Sequence, residues 1–304
     1  MEVITDIRQM QQWADAARAR GQRIGLVPTM GYLHAGHLSL VAVARQHSEV
    51  TVASIFVNPI QFGANEDLDR YPRDLERDTR LLTEAGTDVL FVPEAAAMYP
   101  EGFQTTVKVD RMTRGLCGAS RPTHFPGVTT VVAKLFHIVK PHVAVFGRKD
   151  FQQFVTIRRM VSDLDMDIEI IGAPIVREPD GLAMSSRNAY LSAAERQAAL
   201  CLPKALAIAE ALVQRGDADG LRLLATARRV IADEPLARLE YATLADPDTL
   251  EEVAAVRGPT LLALAAHVGK TRLIDNCILS RQLIVDRKSP PKVGEALSTM
   301  DYRP

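Results

Sequence analysis

Residues 50–57 read V-T-V-A-S-I-F-V, an almost unbroken run of β-favouring and mainly apolar side chains. A strand with one wet face alternates polar and apolar residues, whereas a continuous run has both faces covered. In a water-soluble chain that texture belongs to parallel sheets packed between helices. It recurs at 23–27 (R-I-G-L-V, closed by Pro28), 88–92, 143–146 and 167–171. Helical stretches at 37–47, 74–85, 128–140 and 151–164 lie between these runs. The first 180 or so residues therefore predict an α/β unit with a parallel sheet. In such sheets ligands bind beyond the carboxyl ends of the strands, so the segments that directly follow each strand are where chemistry is to be sought.

The texture changes after Asn188. Residues 192–215 are rich in Ala and Leu and open with Ser192 and Glu195 at capping-box spacing, with Pro203 as an expected kink or break. A second helix is expected at 219–232, then strands at 239–244, 260–266 and 271–279. Helices followed by hairpin-like strands predict a small α+β second domain. The expected division is 1–188, 189–288, and a proline-rich flexible tail at 289–304. Two domains suit a chain of 304 residues.

Composition narrows the partners. Lys and Arg number 36 against 37 Asp and Glu, so no global positive field favours nucleic acid. Aromatic residues are only 5%, too few for base-stacking platforms. No run approaches the length of a membrane span, and the first residues lack a secretory signal pattern, so neither a membrane nor an export route is expected. The three cysteines, Cys117, Cys201 and Cys277, are scattered and form no C-x-x-C pair, as befits a reducing cytoplasm.

Five segments carry the chemistry. After the first strand stands P-T-M-G-Y-L-H-A-G-H, residues 28–37. Seven His and 18 Gly make a chance H-x-G-H rare, on the order of 0.01 occurrences. A helix starting near His37 would offer free N–H groups and a positive dipole end, and His34 and His37 could donate to phosphate oxygens there. The competing reading, half of a zinc site, lacks further ligands at a familiar spacing. The second strand ends in F-V-N-P-I-Q-F, which brings the neutral amides of Asn58 and Gln61 to the same edge. The segment S-R-P-T-H-F-P-G-V places Arg121 and His124 on a loop, as a substrate clamp or as loop anchors. The fourth strand ends in F-G-R-K-D-F-Q-Q-F. There Lys149 is a point charge for a polyphosphate, Asp150 a partner for Lys149, a ribose ligand or a helix cap, and only one of Gln152 and Gln153 can face the crevice. Last, D-G-L-A-M-S-S-R-N sets Ser185, Ser186 and Arg187 behind a turn, a set fit for triphosphate oxygens, for an interdomain linker or for a lid.

These motifs in this order resemble the pantoate–β-alanine ligases, members of the nucleotidyltransferases that carry a HIGH-type sequence, here His34-Ala35-Gly36-His37. The resemblance implies a Rossmann-like N-terminal domain, a smaller C-terminal domain that closes over the site, and a cytoplasmic homodimer. It also implies ATP-dependent condensation of (R)-pantoate with β-alanine to pantothenate through a pantoyl adenylate, releasing pyrophosphate and then AMP. Carried over residue by residue, it implies ATP contacts at Met30, Gly31, Tyr32, Leu33, His34, Ala35, Gly36 and His37. It extends them to Gly147, Arg148, Lys149, Asp150, Val176, Met184, Ser185, Ser186 and Arg187. Gln61 and Gln153 would hold pantoate, with Gln61 also near β-alanine. His37 would be the proton donor, and His34, Lys149 and Arg187 would complete the catalytic set. Tyr32 and Arg148 stand at variable positions, Arg148 adding a charge near the phosphates. Mg2+ would arrive on the triphosphate, with no protein-ligated metal.

Overall fold

The computed structural model describes residues 1–64 and 66–280. The expected tail at 289–304 lies outside them.

The N-terminal part is a six-stranded sheet ordered β1-β4-β3-β2-β5-β6, with every pairing parallel. Its strands are β1 (Glu2–Ile4), β2 (Ile24–Thr29), β3 (Val50–Ile55), β4 (Val89–Phe91), β5 (Val143–Gly147) and β6 (Glu169–Ala173). The main helices between them are α1 (Ile7–Ala19), α2 (Ala35–His47), α3 (Leu75–Glu84), α6 (His124–Val139) and α7 (Phe151–Asp163). Two single-turn helices, α4 (Ala95–Met98) and α5 (Cys117–Ser120), sit in the long β4–α6 connection. This is the Rossmann-like arrangement that the strand texture and the resemblance led us to expect. The chain runs from β2 outward to β3 and β4, then returns to place β5 on the other flank of β2. The strand order reverses between β2 and β5, and a crevice opens above their carboxyl ends.

The structure also shows where the sequence signals stop short. β1 and α1 were not anticipated, because three residues are too few to display a period. α1 does carry a start signal in Asp6, whose side chain accepts the Gln9 N–H at 2.8 Å. Strand β2 runs through Pro28 to Thr29. The Thr29 carbonyl faces β3 and accepts the Phe56 N–H, so Pro28 points to the opposite flank, where pairing with β5 ends at Leu26. A proline there costs no ladder bond. Helix α6 begins at His124, earlier than expected, with Pro126 in its first turn, where a missing N–H does no harm.

The C-terminal part contains α8 (Ala193–Ala199), α9 (Cys201–Gln214), α10 (Gly220–Ala232) and the antiparallel sheet β7 (Ala237–Ala245), β8 (Thr260–Val268) and β9 (Thr271–Leu279). Residues 192–215 are thus two helices. They part at Leu200, a few residues before Pro203, whose ring would collide with a carbonyl one turn back. Ser192 and Glu195 do form the reciprocal cap at the start of α8. The central strand of the sheet, β8, is buried on both faces. Leu262, Leu264 and Ala266 of β8 pack with α9 and α10, while Leu261 and Ala263 join the core of the N-terminal part. Among the described residues no helix is long and apolar enough to cross a membrane.

One close approach sets the wall of the crevice. Helix α6 packs its start directly on the single turn Pro59–Gln61, and a Cβ built on Gly127 would lie 2.5 Å from Gln61 Cα and 2.7 Å from the Ile60 carbonyl oxygen. Backbone cannot yield as a flexible side chain can. We expect Gly127→Ala to destabilise the protein by about 1–3 kcal/mol, the usual scale for overpacking a core. Thermal unfolding checks this, and an unchanged melting temperature would refute the contact.

Candidate active site

A cleft of about 210 Å3 lies at the β2/β5 switch, lined by Thr29 at the end of β2 and Met30 after it, Phe56 after β3 and Phe146–Gly147 at the end of β5. At Arg121 and Arg187 it adjoins a second groove of about 780 Å3 that runs between the two parts of the chain. Of the residues singled out in the sequence, the cleft brings together Met30, His34, Gly36, His37, Asn58, Gln61, Arg121, His124, Gly147, Lys149, Asp150, Gln153, Val176, Met184, Ser185, Ser186 and Arg187. Gly31, Tyr32, Leu33 and Ala35 do not line it. Arg148 does not either; it is exposed, and its guanidinium lies over Gly172 of β6. Its charge is therefore aimed away from the position expected beside the phosphates.

The first wall is the start of α2. The helix begins at Ala35, so Gly36 lies within its first turn and His34 is the capping residue. The Gly36 N–H donates to His34 Nδ1 at 3.1 Å, and the His34 N–H donates to His37 Nδ1 at 3.3 Å. A Cβ on Gly36 would stand 2.9 Å from the His34 ring, so this cap requires glycine. Because backbone N–H groups can only donate, both Nδ1 atoms must be acceptors. Each neutral ring then carries its proton on Nε2. Burial lowers the His34 pKa to about 4, helped by the nearby Lys149 charge. Burial and the adjacent His34 ring lower His37 to about 3. At neutral pH the start of α2 thus holds two uncharged imidazoles, ring centres 4.0 Å apart, with N–H donors left for an acceptor at a helix N-terminus.

Helix α3 holds this turn in place. Buried Asp78 accepts the Tyr32 N–H at 2.6 Å and the Leu33 N–H at 2.8 Å, and Arg77 donates to the Leu33 carbonyl at 2.9 Å. Tyr32 adopts a φ of +49°, a left-handed conformation that a non-glycine residue keeps only when neighbours enforce it. Ser186 adds a bond to the Tyr32 carbonyl at 3.2 Å from the facing loop. Burial raises the Asp78 pKa, against the opposing pull of the two N–H groups and Arg77. The sequence reading missed Asp78, although a signal was present. It lies one turn before Leu82, on the buried face of α3, where an unpaired carboxylate would not be tolerated.

The charged side of the cleft is densely paired. Lys149 Nζ lies 3.7 Å from an Asp150 carboxylate oxygen. Asp150 sits deep in the cleft with half of its side chain open to the cavity. Although burial opposes its charge, Lys149 and Arg187 hold its carboxyl below the usual carboxylate range. Arg187 makes a two-pronged pair with Asp67 at 2.9 and 2.8 Å and lies 5.8 Å above the Tyr71 ring. Arg121 is likewise forked onto Glu66, with Nε to Oε1 at 2.7 Å. Asp67, Glu66 and Tyr71 were not foreseen, since a polar loop after a strand shows no period. Ser185 caps the turn Ser186–Tyr190 by accepting the Arg187 N–H at 3.3 Å. Across the cleft, Gln153 lines the cavity, whereas Gln152 turns inward to pair with the Cys117 N–H and with the carbonyls of Met112 and Gly115. Gln61 is buried at the opposite edge, its Nε2 3.1 Å from Met30 Sδ. Among the described residues no group of three or more His, Cys, Asp or Glu side chains forms a metal-binding set.

Comparison with known proteins fixes the family. The family pattern of pantoate-beta-alanine ligase matches residues 2–278. The chain belongs to the pantoate-beta-alanine ligase family. A pantothenate synthetase of Syntrophobacter fumaroxidans is 59% identical over 279 residues, covering 92% of this chain and 99% of that one. Another from Geobacter sulfurreducens is 56% identical over 282 residues, covering 93% and 100%. The crystal structure of pantothenate synthetase from Thermus thermophilus superposes with a TM-score of 0.88 at 44% identity, over 92% of this chain and 100% of that one. A Francisella tularensis pantoate-beta-alanine ligase, described as complexed with β-γ ATP and β-alanine, superposes at 0.75 with 33% identity over 91% and 97%. The protein is therefore an enzyme, a ligase of this family, with the family's fold throughout its described length.

The neutral imidazoles give a prediction for this ligase. His34 and His37 have folded pKa values below the ordinary 6.5, so the unfolded chain takes up protons that the folded chain refuses. Their contribution to stability is complete above about pH 6.5 and is lost as pH falls toward about 4 and about 3. Imidazole NMR signals of both residues should show no titration between about pH 5.5 and 8. A midpoint near 6.5 for either would contradict the buried neutral pair.

Proposed function

We propose that this cleft condenses (R)-pantoate with β-alanine in two steps, with ATP bearing Mg2+ as co-substrate. In the first, a pantoate carboxylate oxygen attacks the α-phosphorus, the bond to the bridging oxygen breaks, and pyrophosphate leaves. In the second, the amine nitrogen of β-alanine attacks the acyl carbon, the carbon–oxygen bond to phosphate breaks, and AMP leaves with the acid's former oxygen. A carboxylate is a poor acyl donor until that oxygen belongs to a good leaving group, which adenylation provides.

The observation that carries this reading is the pair of imidazoles whose remaining N–H donors are fixed at the start of α2, beside Lys149. Negative charge grows on the α-phosphate and on departing pyrophosphate, and donors fixed in advance stabilise it without having to reorganise. His37 would act through its Nε2–H on the phosphate, with His34 beside it. Lys149 and Arg187, with Ser185 and Ser186, would bind the rest of the triphosphate. Met30, Gly36, Gly147, Asp150, Val176 and Met184 line the space left for the nucleotide. Gln61 and Gln153 supply neutral amides for pantoate, and Gln61 would also border β-alanine. Neutral donors suit a nucleophilic carboxylate, because a cationic clamp would stabilise its charge and blunt the attack. A homodimer is the assembly that we infer from the family resemblance.

The founding test is AMP formation that requires ATP, pantoate and β-alanine together. Within it, His37→Ala should slow pantoate-dependent pyrophosphate release by about 10²–10⁴-fold with an intact circular dichroism spectrum. Near-normal release would remove His37 from the chemistry. Lys149→Ala should impair adenylate formation more than β-alanine attack on preformed pantoyl adenylate. Equal losses in both half-reactions would reduce Lys149 to a packing role.

A further inference from the structure

The amide of Gln61 could in principle turn either its oxygen or its nitrogen toward a ligand, and that choice decides what it recognises. Three hydrogen bonds of Asn58, in the cleft wall, make the choice. Asn58 is buried, and its Nδ2 lies 3.0 Å from the Gly127 carbonyl and 3.0 Å from Gln61 Oε1. A carbonyl accepts and never donates, so the Asn58 atom facing Gly127 has to be the nitrogen. In the opposite orientation two acceptor oxygens would confront each other at that distance. The Asn58 oxygen then points away, where the Tyr99 hydroxyl donates to it at 2.7 Å. The second Nδ2 hydrogen takes Gln61 Oε1, which leaves the Gln61 NH2 group on the side of Met30 and the cleft.

We propose that Tyr99, which does not line the cleft, is a positioning residue: its hydroxyl holds Asn58 firmly in the orientation that the Gly127 carbonyl selects, and so keeps Gln61 a hydrogen-bond donor. The site at Gln61 then selects an oxygen acceptor, a carboxylate or a hydroxyl oxygen, over an N–H donor. This deepens the assignment of Gln61 to pantoate and rests on it. The hydroxyl is the only part of Tyr99 that the relay needs. The ring is held independently, 6.2 Å from Phe56 and 5.1 Å from Phe103, with Lys134 Nζ 5.8 Å from its centre. Removing the oxygen therefore leaves the packing intact and orphans the Asn58 acceptor. With only the Gly127 carbonyl left to hold it, the Asn58 amide positions its neighbour less firmly.

The experiment is a double-mutant cycle on the full-length enzyme, reading the pantoate and ATP dependence of pyrophosphate release for wild type, Tyr99→Phe, Gln61→Ala and the pair. Tyr99→Phe should raise the pantoate KM about three- to tenfold, the scale of one neutral hydrogen bond, and leave the ATP KM unchanged. In the Gln61→Ala background the same change should add nothing, because no amide remains to orient. An unchanged pantoate KM in Tyr99→Phe, or an equal rise in both backgrounds, would overturn the relay while leaving Gln61 at the pantoate site. If Gln61→Ala itself left the pantoate KM unchanged, the pantoate assignment would be what failed, and the relay would fall with it.

Discussion

Two backbone N–H groups that donate to the Nδ1 atoms of His34 and His37 govern the chemistry available to this cleft. They satisfy orphan donors at the start of α2, which every helix must do in some way. Here the acceptors are imidazoles rather than the usual Ser or Asp, and each ring keeps one N–H for other use. The arrangement works only if the turn before the helix is rigid. That explains why a carboxylate as deeply buried as Asp78 is committed to the N–H groups of Tyr32 and Leu33. Structure and reactivity share the same atoms: the bonds that cap the helix also set the tautomers.

Both amides at the far edge obey a similar logic. Polarity is imposed on Gln61 by the Gly127 carbonyl acting through Asn58, which the Tyr99 hydroxyl steadies, and on the imidazoles by backbone N–H groups. In each case the fixed element is main chain, which cannot flip. The close contact of Gly127 with Gln61 lets Asn58 reach the Gly127 carbonyl and the Gln61 side chain together. A cleft whose donor pattern is dictated by main-chain geometry needs little reorganisation to meet an acceptor.

Much of this was legible in the sequence because strands buried on both faces announce themselves. Residues 50–57, 143–146 and 167–171 fall on or beside β3, β5 and β6, and the motifs after the strands do gather at one cleft. What stayed hidden was pairing at long range. Arg187 with Asp67, Arg121 with Glu66, and Tyr99 with Asn58 join segments far apart in the chain, and no local period encodes such partners. Arg148 shows the converse, a residue beside the cleft in sequence whose side chain does not line it. It stands between Gly147 and Lys149, which both line the cleft, yet the single turn there directs its side chain over Gly172. Neighbourhood in sequence did not survive the tightness of the turn. The break at Leu200 was misplaced for a related reason, since a proline acts on the carbonyl of the preceding turn rather than at its own position.

Strand β8 has one further consequence. Its alternate side chains serve two different cores, Leu261 and Ala263 on one side, Leu262, Leu264 and Ala266 on the other. Asn276 of the neighbouring strand β9 reinforces the join by donating to the carbonyls of Arg148 and Lys149 at 3.0 and 2.9 Å. The C-terminal part is therefore a poor module in the recombinational sense. A foreign domain grafted in its place would have to supply both its own core and a matching surface for the first. Successive positions along one strand thus drift under separate constraints, and substitutions at odd and even residues of β8 answer to different partners.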